Sequence, residues 1–299
     1  TGAHRRMNLS TAIDLSADYA HAIQANAMSV DVEDYFQVSA FDSVFSREDW
    51  PSIPSRVERN VAKALEIFSE HDARATFFTL GCVAERFPGI VRAVADAGHE
   101  IASHGWAHHK VFTQTPDVFR EDVDRTRKLL QDLSGQPVLG YRAASFSIDY
   151  RTPWAHAVLD EAGHTYSSSI YPVAHDHYGV PDAPRGPFRD GEGGILEIPA
   201  STIRRFGRNW PAAGGGFFRL YPLMASLWAI RQVNLCDRLP AVFYFHPWEL
   251  DPDQPRVEGV SRRTRFRHYL NLGRFESRLN SLLSRFSWGR MDEVFGVDK

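Results

Sequence analysis

From residue 27 to about residue 165 the sequence alternates short apolar runs with longer stretches of helical periodicity, and nothing constrains its fold more. Ala27 to Val32 reads as a strand ending in the acidic cluster Asp31, Glu33 and Asp34. Ser55 stands where it would cap a helix whose Val57, Val61, Leu65 and Phe68 share one face. The apolar run 75–80 follows as a buried strand stopped by Gly81, then a helix over 83–97, interrupted or kinked at Pro88 and closed by Gly98. A strand over 99–103, a helix over 117–133, a strand over 138–143 and a helix over 154–162 continue the series. Strict alternation implies parallel strands joined by helical crossovers, so the expected fold class is α/β. The polar residues Asp31, His104, Arg142 and, much later, His246 stand just after strands. In a barrel-like α/β fold such side chains converge on one mouth.

Beyond residue 165 the pattern changes. Residues 175–194 are rich in Gly, Pro and Asp and read as a long surface loop, and 195–202 has strand character. Gly214-Gly215-Gly216, flanked by Arg208, Phe217, Phe218 and Arg219, reads as a substrate-facing loop or as a plain turn. A helix is expected over 222–233, and an apolar strand over 241–245 runs into His246-Pro247-Trp248-Glu249. The tail from Arg262 is basic and is expected to continue as a helix over 274–286. With no repeat and no low-complexity linker, one domain is expected. Its parts are an N-terminal segment 1–26, a catalytic body 27–250 and a C-terminal extension 251–299 packing on the barrel. Thr1 to Arg6 reads as foreign sequence ahead of Met7.

Charge and cysteine content exclude several classes. Lys+Arg 34 against Asp+Glu 37 gives a net charge of -3 without long runs of either sign, so neither nucleic acid nor a polyanionic substrate is indicated. Cys82 and Cys236 are far apart, which fits a reducing compartment better than a disulfide scaffold. No run approaches the ~20 apolar residues of a membrane span. Asp14, Asp18 and His21 interrupt any signal-peptide core after Met7. The cytoplasm is therefore the expected location, and a trimmed secretion signal would move it to the periplasm. Nothing in the sequence speaks to oligomeric state.

Some residues carry chemistry by type and spacing. His104 and His108, four apart, would face one side of a helical turn and could chelate a metal ion, although a chance pair among 13 histidines is unremarkable. Asp31, Glu33 and Asp34 repel one another unless a cation or an arginine offsets them, and they sit between segments that look buried. Arg142 at a strand end could clamp a carboxylate or simply lie on the surface. An apolar strand delivers His246 either to the mouth or into the core.

Together these segments resemble the polysaccharide deacetylases of carbohydrate esterase family 4, the NodB-homology domain, and within it the branch found with exopolysaccharide and exosortase genes. Val30-Asp31-Val32-Glu33-Asp34-Tyr35-Phe36 resembles the first motif and Ala75-Thr76-Phe77-Phe78 the second strand. The run from Gly98 to His108 resembles the metal motif, that from Gly140 to Ser147 the third motif, and Phe243-Tyr244-Phe245-His246-Pro247 the last. The matches fall in the family's order between about residues 27 and 250, and the tail resembles this branch's extension.

The resemblance implies a distorted (β/α) barrel and one divalent metal ion, usually zinc, bound by a carboxylate and two histidines. By analogy His104 and His108 are ligands, with Asp34 as the favoured carboxylate and Glu33 as the alternative. Asp31 is implied as the base acting on the attacking water, Arg142 as its orienting partner, the Ser145 backbone N–H as an oxyanion donor, and His246 as the acid that protonates the departing amine. The implied reaction removes N-acetyl groups from N-acetylhexosamine units of a glycan. This sequence departs from the family in three places: Val32 separates the first-motif acids, Ala144 stands where a proline is expected, and no clear fourth motif braces the histidine. Asp176 and Glu249 are candidates for that brace. Two rival readings are an amidohydrolase acting on a small amide and a catalytically silent glycan-binding protein.

Overall fold

The computed structural model describes residues 12–19, 25–175, 178–190 and 194–297. In chain order its strands are β1 (Ala12–Asp14), β2 (Asn26–Val32), β3 (Thr76–Thr79), β4 (Glu100–Ser103), β5 (Gly140–Tyr141), β6 (Tyr166–Ser167), β7 (Phe188–Asp190), β8 (Leu196–Glu197), β9 (Thr202–Arg205), β10 (Arg208–Pro211), β11 (Val242–Phe245) and β12 (Trp288–Gly289). The α-helices are α1 (Val57–Glu70), α2 (Gly81–Arg86), α3 (Pro88–Asp96), α4 (Pro116–Ser134), α5 (Ala155–Glu161), α6 (Gly215–Leu220), α7 (Leu223–Gln232), α8 (Arg262–Tyr269), α9 (Phe275–Leu283) and α10 (Met291–Val294).

The main sheet runs β1-β7-β8-β6-β5-β4-β3-β2-β11, with β12 against the first residues of β2. From β11 to β8 every neighbouring pair is parallel, as the alternation of strands and helices requires. β2, β3 and β4 are buried along their whole length. Parallel strands covered on both faces carry near-continuous apolar sequence, which accounts for these runs. The sheet curls until Ser201 reaches β11, where the Val242 N–H donates to Ser201 Oγ (2.8 Å) and the Ser201 N–H to the Val242 carbonyl (3.4 Å). Two hydrogen bonds in place of a ladder leave a distorted (β/α) barrel, the fold class expected.

Several boundaries differ from the sequence reading. The helix expected over 83–97 divides at Phe87 into α2 and α3, because Pro88 cannot donate an amide and instead takes the first turn of α3. The strand expected over 138–143 narrows to β5, and that over 195–202 divides into β8 and β9. Gly214–Gly216 is neither a substrate loop nor a plain turn but the start of α6. The extension after residue 250 supplies β12 to the sheet itself, while α9 buries Phe275, Leu279 and Leu282 in the core that also holds Phe68, Phe77 and Phe243.

Candidate active site

The C-terminal ends of β2, β4, β5 and β11 open on one mouth, and each delivers a polar side chain to it. β2 ends at Asp31 and Val32 and runs on into Glu33, while β4 leads to His104. Arg142 follows β5 directly, and His246 follows β11. Asp31, Glu33, His104, His108 and Arg142 are all buried, whereas His246 keeps 22% of its side chain exposed.

Arg142 is wholly buried, and its donors are all engaged within the fold. Nη1 donates to Asp31 Oδ1 (2.7 Å) and Ser29 Oγ (2.8 Å), Nε to the Ser168 carbonyl (3.1 Å), and Nη2 to Ser168 Oγ (2.9 Å) and Met291 Sδ (3.9 Å). Its guanidinium lies 4.1 Å from the ring centre of Phe78. A buried ion pair is stable only when its leftover donors are satisfied, and here they are. Arg142 is therefore a clamp on Asp31 and not a surface arginine.

The two histidines come together without a helix. Gly105 (φ +73°) and His108 (φ +53°) take left-handed backbone, which folds 104–108 back on itself and brings the imidazole centres within 5.4 Å. Arg47 holds the loop by donating to the carbonyls of Ala107 (2.7 Å) and His108 (2.9 Å). His104 Nδ1 lies 2.8 Å from the Arg142 carbonyl, a contact that requires an N–H at Nδ1 and leaves the Nε2 lone pair free. Burial pushes both imidazoles towards the neutral form, that of His108 most strongly.

The carboxylate facing them is Glu33. Glu33, His104 and His108 each offer one donor atom, all within 4.8 Å of one another. His108 Nε2 is 3.1 Å from Glu33 Oε2, yet that buried oxygen accepts no hydrogen bond. His108 Nδ1 lies 3.5 Å from Ser39 Oγ, which leaves Nε2 turned towards that unpartnered oxygen. A cation would give the oxygen a partner, and neutral imidazoles with one carboxylate form a donor set that suits it. Burial, reinforced by the charge of Asp31 and opposed by His246, raises Glu33 to about 7.

Asp34, the carboxylate favoured from the sequence, points elsewhere. Its Oδ2 accepts from Ser55 Oγ (2.6 Å) and from the N–H groups of Arg56 (2.7 Å) and Val57 (3.2 Å), and its Oδ1 from the N–H of Tyr35 (2.9 Å). It serves as the N-terminal cap of α1 across more than twenty residues of sequence, where free amides and the helix dipole favour an anion. Ser55, expected as the cap itself, donates to that carboxylate and accepts from the Val57 N–H only at 3.4 Å.

His246 is held from the opposite side. Its Nε2 lies 3.5 Å from Glu33 Oε1 and 4.0 Å from Asp31 Oδ2, while Nδ1 and the backbone N–H both approach Glu249 Oε2 (3.2 and 3.0 Å). Burial disfavours its charge, but Glu33 and Glu249 outweigh burial and bring the imidazole up to about 9. Glu249 is itself fully buried; Arg219 Nε, 2.7 Å from its Oε1, and His246 draw it down to about 2 against the cost of burial. Gly215 permits this packing, since a Cβ there would lie 1.9 Å from Glu249 Oε2. Trp248 stacks on His246 (5.1 Å between centres, 15°) and points Nε1 at Glu33 Oε1 (3.4 Å). His268 stacks on the Trp248 indole (4.2 Å, 14°). The carbonyls of His268 and Leu270 in turn accept from Arg219 Nη1, both at 2.8 Å.

Of the brace candidates, Glu249 takes the position and Asp176 lies outside the described residues. Ser145 has left-handed backbone (φ +54°) after β5, and its Oγ meets Ser39 Oγ at 2.9 Å. Sequence reasoning missed Arg219, Ser39, Ser168 and His268. Only Arg219, beside the three glycines, left a local signal.

Comparison with known proteins bears on two stretches of the chain. Residues 44–167 match the polysaccharide deacetylase family model, and residues 168–296 match a domain of unknown function, DUF3473. A peptidoglycan-N-acetylglucosamine deacetylase of Bacillus cereus is 37% identical over 73 residues, 24% of this chain and 26% of its own. A peptidoglycan deacetylase of Helicobacter pylori is 28% identical over 121 residues, 39% of this chain and 40% of its own. The chain thus matches well under half the length of these relatives. A crystal structure of a Mycobacterium smegmatis protein assigned to the polysaccharide deacetylases superposes with a TM-score of 0.60 at 18% identity, covering 93% of this chain and 91% of the other. That likeness is one of fold.

Proposed function

We propose that this chain, which carries a polysaccharide deacetylase domain of a family that hydrolyses N-acetyl amide bonds, is a metal-dependent N-deacetylase. Its substrate would be the N-acetylhexosamine units of an exopolysaccharide. The observation that carries the reading is the unpartnered Glu33 Oε2 facing two neutral imidazoles, with a clamped carboxylate and a cationic histidine beside it. Glu33, His104 and His108 would hold the ion, most fittingly zinc, which supplies Lewis acidity to the acetamide carbonyl and acidifies water.

The chain's own residues divide the proton transfers. Asp31, held by Arg142, takes a proton from the attacking water. The Ser145 backbone N–H donates to the carbonyl oxygen as negative charge gathers there. His246 enters as imidazolium, held in that state by Glu249 and Glu33, and gives its proton to the departing amine nitrogen. Acetate and a free amino sugar result. The names of the matched relatives favour a second substrate, peptidoglycan N-acetylglucosamine, for the same chemistry.

Acetate release is the test, measured on N-acetylglucosamine oligomers, a poly-N-acetylglucosamine exopolysaccharide and peptidoglycan, with and without chelator. We expect release that chelator abolishes and zinc restores, fastest on the exopolysaccharide. Preference for peptidoglycan would move the substrate and keep the chemistry. No release from any glycan by metal-loaded protein would overturn the reading.

A further inference from the structure

The hairpin β9–β10 forms a two-stranded sheet apart from the barrel, and its turn is made by Phe206 and Gly207. Both have positive φ (+51° and +73°), the pattern of a type I′ turn. The first position of such a turn favours Asn, Asp or Gly, and a bulky side chain there is an outlier. Phe206 nonetheless occupies it and is 96% exposed. The ring gains no burial within the chain to offset the backbone strain, so local energetics give no reason for it.

The ring has company. Trp210 is exposed on the same hairpin, and α7 with the turn that follows it exposes Met224, Trp228 and Leu235, a helical spacing that lines up one face. Arg205 joins the two elements, lying 5.1 Å from the Trp228 ring centre and donating to Gln232 Oε1 (3.2 Å). Leu235 is 73% exposed and Met224 66%. Apolar residues exposed on adjoining elements in this way mark an interaction surface.

Charge selects the partner. Arg204, Arg205 and Arg208 flank the turn and are exposed, and Arg204 and Arg208 make no ion pair among the described residues. From Ile203 to Asn234 the sequence contains no Asp or Glu, and four of its five arginines (204, 205, 208 and 231) are exposed, Arg219 being buried against Glu249, in a chain whose net charge is -3. Aromatic rings and arginines on one surface match the interface of an anionic bilayer, where rings settle at headgroup level and cations meet lipid phosphates. No helix among the described residues is long and apolar enough to cross a membrane, so contact would be from one side.

We infer that the β9–β10 turn and the outer face of α7 form a docking surface for an anionic phospholipid membrane, independent of the deacetylase reading. The test is sedimentation of the whole chain with phosphatidylcholine vesicles, with and without phosphatidylglycerol, at low and high salt. Binding is expected only with phosphatidylglycerol and should weaken as salt rises. Replacing Arg204, Arg205 and Arg208 together by Gln should weaken it about a hundredfold, from about fivefold per arginine. Phe206→Asn should weaken binding by about tenfold or more while leaving acetate release from soluble oligomers unchanged. Because Asn suits the turn better than Phe, this variant should fold at least as well, so lost binding cannot be lost structure. Three outcomes would overturn the inference: no sedimentation with anionic vesicles, equal binding to both lipids, or a concentration-dependent dimer abolished by Phe206→Asn. The last would make a second copy of the chain the partner.

Discussion

The two walls of the mouth are built in different ways. One wall, with Asp31, Glu33, His104, His108 and Arg142, hangs directly from the ends of neighbouring parallel strands. Its side chains are fixed by the sheet and by partners one or two bonds away. The other wall presents a single imidazole, the proposed acid His246, and holds it through Glu249, Trp248, Arg219 and His268, drawn from α6, the segment after β11 and α8. The first wall assembles charge that would be unstable unless compensated. The second adjusts one imidazole through layers of packing. Substitutions in the first should remove chemistry, and those in the second should detune it.

The sharpest break is between adjacent carboxylates. Glu33→Gln should strip the ion and lower kcat/KM by more than the ~10–100-fold typical of losing an outer partner of a metal site. Metal-free stability near pH 8 should hold or rise, because a buried carboxylate raised to about 7 is costly to ionise. Asp34→Asn should do the reverse, keeping the metal while losing about 0.5–2 kcal/mol of stability as the α1 cap weakens. Elemental analysis and urea midpoints on both variants decide it. Loss of metal from Asp34→Asn but not from Glu33→Gln would exchange their roles.

Weaker effects on turnover are expected at the second wall. Glu249→Gln should lower kcat about 10–100-fold with little change in KM, since the proposed acid His246 is displaced while Glu33, His104 and His108 stay in place. His268→Ala, two rings from the chemistry, should cost only a few-fold. Arg219→Met should be destabilising by about 3–5 kcal/mol, because it leaves the buried Glu249 with His246 alone against its charge. Adding Glu249→Gln to that variant should recover much of the stability and none of the activity. Additive losses in the double variant would mean that the two residues do not act as a unit.

The same contrast explains what could be read from the sequence. The strands of the first wall are continuous apolar runs with a polar residue at the end, and both features are local. Asp31, His104, Arg142 and His246 could therefore be placed at one mouth before any coordinates. Which acid of the first motif faces the histidines was not legible, because it depends on where the amides of Arg56 and Val57 arrive after a long excursion. Nor could spacing reveal that His104 and His108 meet through left-handed backbone and not on a helix. The role of Gly215 depends on a glutamate more than thirty residues further on, so the run read as a loop or a plain turn. His268 gave no signal at all: a histidine in a basic tail becomes a stacking partner only once α8 docks.

The smallest change in turnover is expected beneath the barrel, where the strands of the first wall meet α10. Glu100 opens β4 at the end away from the mouth and is fully buried, accepting from Thr76 Oγ1 (2.5 Å), the Tyr166 hydroxyl (2.8 Å) and the N–H of Asp292 in α10 (3.2 Å). Burial, with the nearby charge of Asp292, lifts it to about 8 from an ordinary 4.5. A carboxyl raised on folding binds its proton more tightly in the native state. Its contribution is therefore complete below about pH 4.5 and is lost as pH climbs through about 8. Wild-type stability should fall across that window by some part of one proton's ~1.4 kcal/mol per pH unit. Glu100→Gln, which cannot ionise, should flatten the fall and leave acetate release almost untouched. Parallel pH profiles for the two proteins would mean that Glu100 is ionised in the native state throughout, with Arg290 compensating it through Asp292. Diverging profiles with unchanged turnover would mark this seam as a stability element that the chemistry at the mouth does not feel.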